Sequence, residues 1–181
     1  MVAVIGGTGT GKSTIVNRLI GAIVCASSFR RTFTSGAISI AADASRVPSG
    51  WLGGEHVLLT PAEFPARGRG GAVCIVEHDA PITRAVTLVD TPDVDGDTPE
   101  HHAVADLAFR WAQAVLFLVT PEKYQMTELL PYYRLARRYG VPCLFAMNKC
   151  EEAAVFEDYR AELARAEWPD ARAFVIPRDD A

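Results

Sequence analysis

Gly6-Gly7-Thr8-Gly9-Thr10-Gly11-Lys12-Ser13-Thr14 fits the phosphate-loop (Walker A) pattern of Gly, four residues, then Gly-Lys-Ser/Thr. The apolar run Val2-Ala3-Val4-Ile5 precedes it and reads as a buried strand. A helical pattern follows, with Ile15, Val16, Leu19 and Ile20 on one face, and ends near Gly21. The chemistry of the motif depends on that context. Glycines let the backbone curl so that successive N–H groups converge on a polyphosphate. The next helix adds its positive N-terminus. Lys12 brings a point charge to the β/γ-phosphates, and the Ser13 hydroxyl suits Mg²⁺. Gly7, Thr8, Gly9, Thr10, Gly11, Lys12, Ser13 and Thr14 are the expected phosphate cradle.

Composition bounds the rest. The 181 residues suffice for a domain with a real core, and 49% of them are apolar. A net charge of -4 gives no general pull towards nucleic acid or acidic lipid. Cys25, Cys74, Cys143 and Cys150 form no Cys-x-x-Cys pair, which fits reduced thiols in a cytosol-like compartment. The longest apolar run, 114–119, has the size of a strand and is too short to span a bilayer. No signal peptide is visible. The expected location is therefore cytoplasmic, with peripheral membrane contact only through segments outside this sequence.

Further along, residues 22–28 read as loop or small strand, and 29–36 are polar and basic. Residues 41–72, rich in Gly and Pro, read as a long loop or insertion of the kind that is functional or mobile. Arg67 and Arg69 within it suit a solvated turn or a phosphate contact. Strands are expected at 73–77 and 85–89, antiparallel across the turn Asp79-Ala80-Pro81. Thr98-Pro99-Glu100 opens a helix whose buried stripe is Val104, Leu107, Ala108 and Trp111. His101 and His102, in its first turn, read as exposed. A strand at 114–119, a helix from Pro131 to Gly140, a strand at 143–147, a helix at 151–167 and a strand at 172–176 complete the pattern. Alternating strands and helices imply an α/β, three-layer fold around a mostly parallel sheet with one antiparallel edge pair. A covering helix after the last strand is expected and absent, which reads as one domain of a longer protein or a truncated copy. The domain expected is nucleotide-binding over 1–181.

Phosphate chemistry on Mg²⁺ also needs an acid at the end of a neighbouring strand, and Asp90 meets that need. A mobile hydroxyl to complete the metal shell comes from Thr32 or Thr34, which spacing does not separate. Asn148-Lys149-Cys150-Glu151 follows a late strand. An amide there bonds a purine edge, and a carboxylate accepts from the N1/N2 edge that guanine has and adenine lacks; the Lys stem lies against the ring.

In this order the motifs resemble a translation-factor-class GTPase (G) domain, similar to bacterial dynamin-like and ribosome-associated (Era/TrmE-type) GTPases. The resemblance rests on residues 6–14, Arg31-Thr32-Phe33-Thr34, Asp90-Thr91-Pro92-Asp93, Val119-Thr120-Pro121-Glu122-Lys123-Tyr124 and Asn148-Lys149. It implies GTP/GDP and Mg²⁺ as ligands, with Ser13, Thr34 and Asp90 at the metal. It also implies that Lys12 and Thr34 serve the reacting phosphate. By the dynamin-like pattern Thr34 is the metal-binding threonine and Thr32 stands where proline is usual.

Three positions depart from the family. Asp93 replaces the Gly of Asp-x-x-Gly, so the turn must differ. Glu151 replaces the Asp of Asn-Lys-x-Asp, one methylene longer. Val94 stands where a water-orienting Gln is found in Ras-like members. In addition, Gly9 stands where potassium-dependent relatives carry Asn. A missing catalytic group is worth about 10³–10⁵ in rate. The expectation is a Mg²⁺-dependent GTPase, slow alone and stimulated by a nucleotide-dependent homodimer or an activating protein. No nucleic-acid partner is evident. Arg30 and Arg31 are candidate charge donors or plain solvated residues; Arg134, Arg137 and Arg138 form a basic helix face suited to solvent or a partner. The alternatives are a GTP-binding scaffold with negligible hydrolysis, and a P-loop ATPase or small-molecule kinase with residues 41–72 as its lid.

Overall fold

The computed structural model describes residues 1–27, 36–96 and 99–178. Among them eight strands form one sheet in the order β3-β4-β2-β5-β1-β6-β7-β8. The strands are β1 (Val2–Gly6), β2 (Ile38–Ala41), β3 (Glu55–Leu59), β4 (Ala72–Glu77), β5 (Leu88–Asp90), β6 (Ala114–Val119), β7 (Cys143–Asn148) and β8 (Ala173–Ile176). The helices are α1 (Lys12–Ile20), α2 (Pro81–Ala85), α3 (Pro99–Trp111), α4 (Leu130–Tyr139) and α5 (Ala153–Arg165).

Side chains alternate across the sheet and sort into two cores. Ala3, Ile5, Phe117, Phe145 and Met147 face one way, with Ala105 and Ala108 of α3, Tyr133 of α4, and Tyr159 and Leu163 of α5. Val4, Ile38, Ile40, Cys74 and Leu88 face the other, with Val16 and Ile20 of α1. On that second side Leu144 of β7 and Phe174 of β8 stay exposed, 42% and 53% respectively. They lie towards the β8 edge of the sheet.

The parallel α/β reading holds, and so do the elements from β6 onwards. The one antiparallel pair is present but differs from the expected one in partners and place. It joins β2 to β5, with Ser39 opposite Val89, and lies inside the sheet. β4 and β5 are not neighbours, because 79–81 is no hairpin turn. Pro81 opens α2, and Thr83 Oγ1 accepts from the Ala80 N–H at 2.9 Å. Arg84 forks onto Asp79 at 2.6 and 2.8 Å and closes the same corner.

Residues 41–72 are likewise not a loop. They contain β3, which pairs in parallel with β4 from Glu55↔Ala72 to Leu59↔Val76, and three short 3₁₀ turns. Trp51 is buried in the first core. Arg69 pairs with Glu63 on the surface at 3.0 Å. Ala66 is bonded through both N–H and C=O to Val24 and Ala26, so 22–27 contributes a single bridge, at Cys25.

Two helix faces are rotated from the expected ones. On α1 Leu19 is exposed and Asn17 is buried. The Asn17 amide donates to Cys25 O (2.7 Å) and accepts from the N–H groups of Val24 (3.0 Å) and Cys25 (2.8 Å), stapling the chain that leaves the helix. On α3 the buried residues are His101, Ala105, Ala108 and Phe109, whereas Trp111 is half exposed and Val104 and Leu107 only flank the core. His101 is therefore buried, contrary to expectation. The expected Thr98 cap lies outside the described residues.

Three aromatic rings around Phe145 carry the first core: Phe117 stacks on it at 5.5 Å, and Tyr133 and Trp168 meet it edge-on at 5.4 and 5.2 Å. Phe145→Ala should lower the unfolding free energy by about 3–5 kcal/mol, read from the midpoint of a urea titration.

Candidate nucleotide site

The site lies at the carboxyl ends of β1, β5 and β7. β1 ends at Gly6, the chain curls through residues 7–11, and α1 begins at Lys12. Thr10 Oγ1 donates to Gly7 O at 2.8 Å and holds the bend. Gly11 caps α1 with φ 93°, and a Cβ there would stand 2.5 Å from Asn148 Nδ2. Both the left-handed backbone and the close approach demand glycine.

Lys12 folds back under the loop, 5% exposed. Its ammonium donates to Gly6 O (3.0 Å), Gly7 O (3.1 Å) and Asp93 Oδ1 (2.5 Å). Asp93 was expected to alter the turn that glycine makes in relatives. It avoids positive φ and turns its carboxylate onto the lysine instead. Ser13 Oγ donates to Asp90 Oδ2 at 2.6 Å. Asp90, at the end of β5, is fully buried, and burial pushes its carboxyl up to about 6 against the opposing pull of the Ser13 hydrogen bond and the Lys12 charge. Its Oδ1 has no partner among the described residues. A serine hydroxyl beside a buried carboxylate with a spare oxygen fits the hard-oxygen shell of Mg²⁺.

At the end of β7, Asn148 Nδ2 donates to Thr10 O at 2.9 Å, while its Oδ1 accepts from the Lys149 N–H at 3.0 Å. Lys149, with φ 60°, donates from Nζ to Gly9 O at 3.0 Å. The late Asn-Lys pair and the phosphate loop thus meet although 138 residues separate Asn148 from Thr10. Glu151 is nearby in sequence and exposed; Thr14 is exposed on α1. Thr34, with Thr32, Arg30 and Arg31, lies outside the described residues. Val94 is buried in the first core and its N–H reaches Gly6 O at 3.4 Å.

Sequence reasoning missed one cluster. Asp95 accepts from the Thr8 N–H (2.7 Å) and Thr8 Oγ1 (2.8 Å), and from Lys123 Nζ at 2.5 Å. Burial opposes its charge, but Lys123 and Thr8 together hold its carboxyl below the usual range. Lys123 stands in the stretch 119–124 after β6, whose sequence alone assigned it no role.

A glycine bend between a buried parallel strand and a helix, with a lysine and a serine at the helix start and an acid on the next strand, defines a P-loop nucleotide-binding domain. The model of the family described as "50S ribosome-binding GTPase" matches residues 1–149, and the chain belongs to that family. No curated protein matches the chain. Among solved structures it is similar to a point variant of Aquifex aeolicus Era bound to GDP·AlF4⁻ (TM-score 0.59, 17% identity, 97% of this chain and 49% of that one). Era in complex with MgGDPNP and nucleotides 1506–1542 of 16S ribosomal RNA gives the same values, TM-score 0.59, 17% identity and coverage of 97% and 49%. A member of an oligomerised bacterial dynamin pair, described as sensing and tethering membranes, scores 0.66 at 9% identity over 97% of this chain and 33% of that one. The chain thus spans about half the length of the Era chains and a third of the dynamin. No helix among the described residues is long and apolar enough to cross a membrane.

Asn148→Ala leaves Thr10 O and the Lys149 N–H without their partner. It should lower the unfolding free energy by about 1–3 kcal/mol, measured in urea without nucleotide.

Proposed function

We propose that this chain is a Mg²⁺-dependent GTP-binding and GTP-hydrolysing switch whose turnover is slow alone and is raised by a partner or by self-association. The observation that carries the reading is the convergence of Lys12, the Ser13–Asp90 pair and Asn148 on one glycine bend. Family membership supports a GTPase; the metal, the rate and the stimulation are our extension.

Residues 7–14 bind the phosphates, with Lys12 on the β/γ oxygens. Ser13 and Asp90 would hold Mg²⁺, with Thr34 as the further hydroxyl that the resemblance implies. When bound, the metal neutralises charge on the phosphates. Asn148, Lys149 and Glu151 read the purine, with Glu151 closing on the guanine edge from its exposed position. Val94 supports slow turnover, since a buried aliphatic side chain neither donates nor accepts a hydrogen bond to water.

Guanine nucleotide is the first partner, and a second copy or an activating protein the next. The family description and the Era–RNA complex make ribosomal RNA a further class to test, although the basic face of Arg134, Arg137 and Arg138 is too small to argue for it alone. A GTP-binding scaffold with negligible hydrolysis is the second reading, favoured by the same Val94. A kinase lid at 41–72 finds no support: that segment carries an edge strand, and a Cβ on Gly68 would stand 2.0 Å from Gly36 O.

Calorimetry of the whole chain should give measurable GDP affinity, and Lys12→Ala should weaken it at least roughly tenfold. Single-turnover GTP hydrolysis by dilute protein should run on the order of 10⁻⁴–10⁻² s⁻¹. Unchanged affinity in the variant would contradict the binding assignment, and faster turnover the slow-switch assignment.

A further inference from the structure

Asp95 and Lys123, clustered with Thr8 of the phosphate loop, have none of the roles above. Its place along the loop gives it one. Asn148 holds Thr10 O and Lys149 holds Gly9 O, so the base-reading corner lies at the helix-proximal end of the bend. Gly6, Gly7 and Thr8 form the other end. A polyphosphate laid along the bend from that corner therefore finishes beside Thr8.

An anion already stands there. Asp95 takes the Thr8 N–H and hydroxyl on one oxygen and the Lys123 ammonium on the other. Its carboxylate lies so close over the loop that a Cβ on Gly7 would be 2.8 Å from Asp95 Oδ2. One amide, one hydroxyl and one ammonium converging on a carboxylate are the donors that a terminal phosphate needs. Asp93 repeats the pattern two residues earlier, on Lys12. Two carboxylates of one loop thus occupy two cationic donors of the site.

Lys123 is held where it can act. β6 runs parallel beside β1 with Gly6 opposite Leu118, so the turn after β6 rises next to the phosphate loop. The Lys123 N–H donates to Thr120 O at 2.9 Å and fixes that turn. Its side chain is 36% exposed and Asp95 15%, so the pair opens to the solvent from which a nucleotide would enter.

We propose that Lys123 is a specificity-determining residue that contacts the terminal phosphate of a nucleoside triphosphate, and that Asp95 occupies its place until that phosphate arrives. The inference rests on the nucleotide reading above. The phosphate displaces Asp95 from Thr8 and from Lys123 together, and the freed ammonium pairs with the new anion. A diphosphate, one group shorter, does not reach Lys123 and leaves Asp95 in place. Lys123 is then a second cation, beside Lys12, at the end of the phosphate chain.

The test is titration of the whole chain, with Mg²⁺, against fluorescent GDP and a fluorescent non-hydrolysable GTP analogue. Lys123→Ala should weaken the triphosphate about tenfold or more and change GDP by less than about twofold. Lys123→Arg should keep most of the triphosphate affinity, and Asp95→Asn should tighten the triphosphate more than GDP. Equal effects of Lys123→Ala on both nucleotides, or no effect on either, overturn the assignment, provided that the unaltered chain binds guanine nucleotide. Failure of the unaltered chain to bind either nucleotide overturns the site reading itself and is visible before any variant is made. Urea unfolding of each variant separates loss of contact from loss of fold.

Discussion

A buried ammonium organises this molecule. Lys12 sits beneath the loop that carries it, and burying a charge in that way is costly unless it is paired and hydrogen-bonded. The chain meets that demand with two loop carbonyls and the Asp93 carboxylate. Those three acceptors explain why β1 must end where it does, and why the segment after β5 must return across its tip. The parallel placement of β1 between β5 and β6 brings both neighbours' carboxyl ends to the same point. A charge held by two carbonyls and one carboxylate is also a charge that a phosphate can take over.

The second constraint is the tie between distant parts of the chain. Asn148 reaches Thr10, and Ser13 reaches Asp90, so the ends of β7 and β5 are tied to the phosphate loop and the start of α1 by side chains rather than by backbone pairing. Rigid strands thereby set positions that the loop alone would not keep. The same arrangement leaves Asp90 with one buried oxygen unpartnered among the described residues.

What the sequence disclosed follows the strength of each local signal. The glycine bend, β6, α4 and β7 were legible because their pattern is undiluted: a continuous apolar run, or a proline start and a glycine stop. β3 was not, since an edge strand with Leu58 exposed loses the alternation that marks a half-buried one. The β4–β5 pairing misled because Pro81 can serve a turn or a helix start, and Thr83 decided for the helix. On α3 the stripe shifted because Trp111, large and apolar, faces outward while Ala105 and Ala108 allow close packing. In the site, motif positions were readable but charge partners were not. Asp93 and Asp95 looked like departures from a pattern or polar filler, and only the folded chain puts them on Lys12 and Lys123. Thr34 and its neighbours lie outside the described residues.

The most direct test of the account is hydrogen exchange across the whole chain, with and without saturating GDP, GTP analogue or ATP. Guanine nucleotides should slow exchange of the amides of residues 6–14 and of 143–150, with the triphosphate also changing 88–96, while ATP leaves all three segments as they were. Unaltered exchange at 6–14 under saturating guanine nucleotide, or equal protection by ATP, would contradict it.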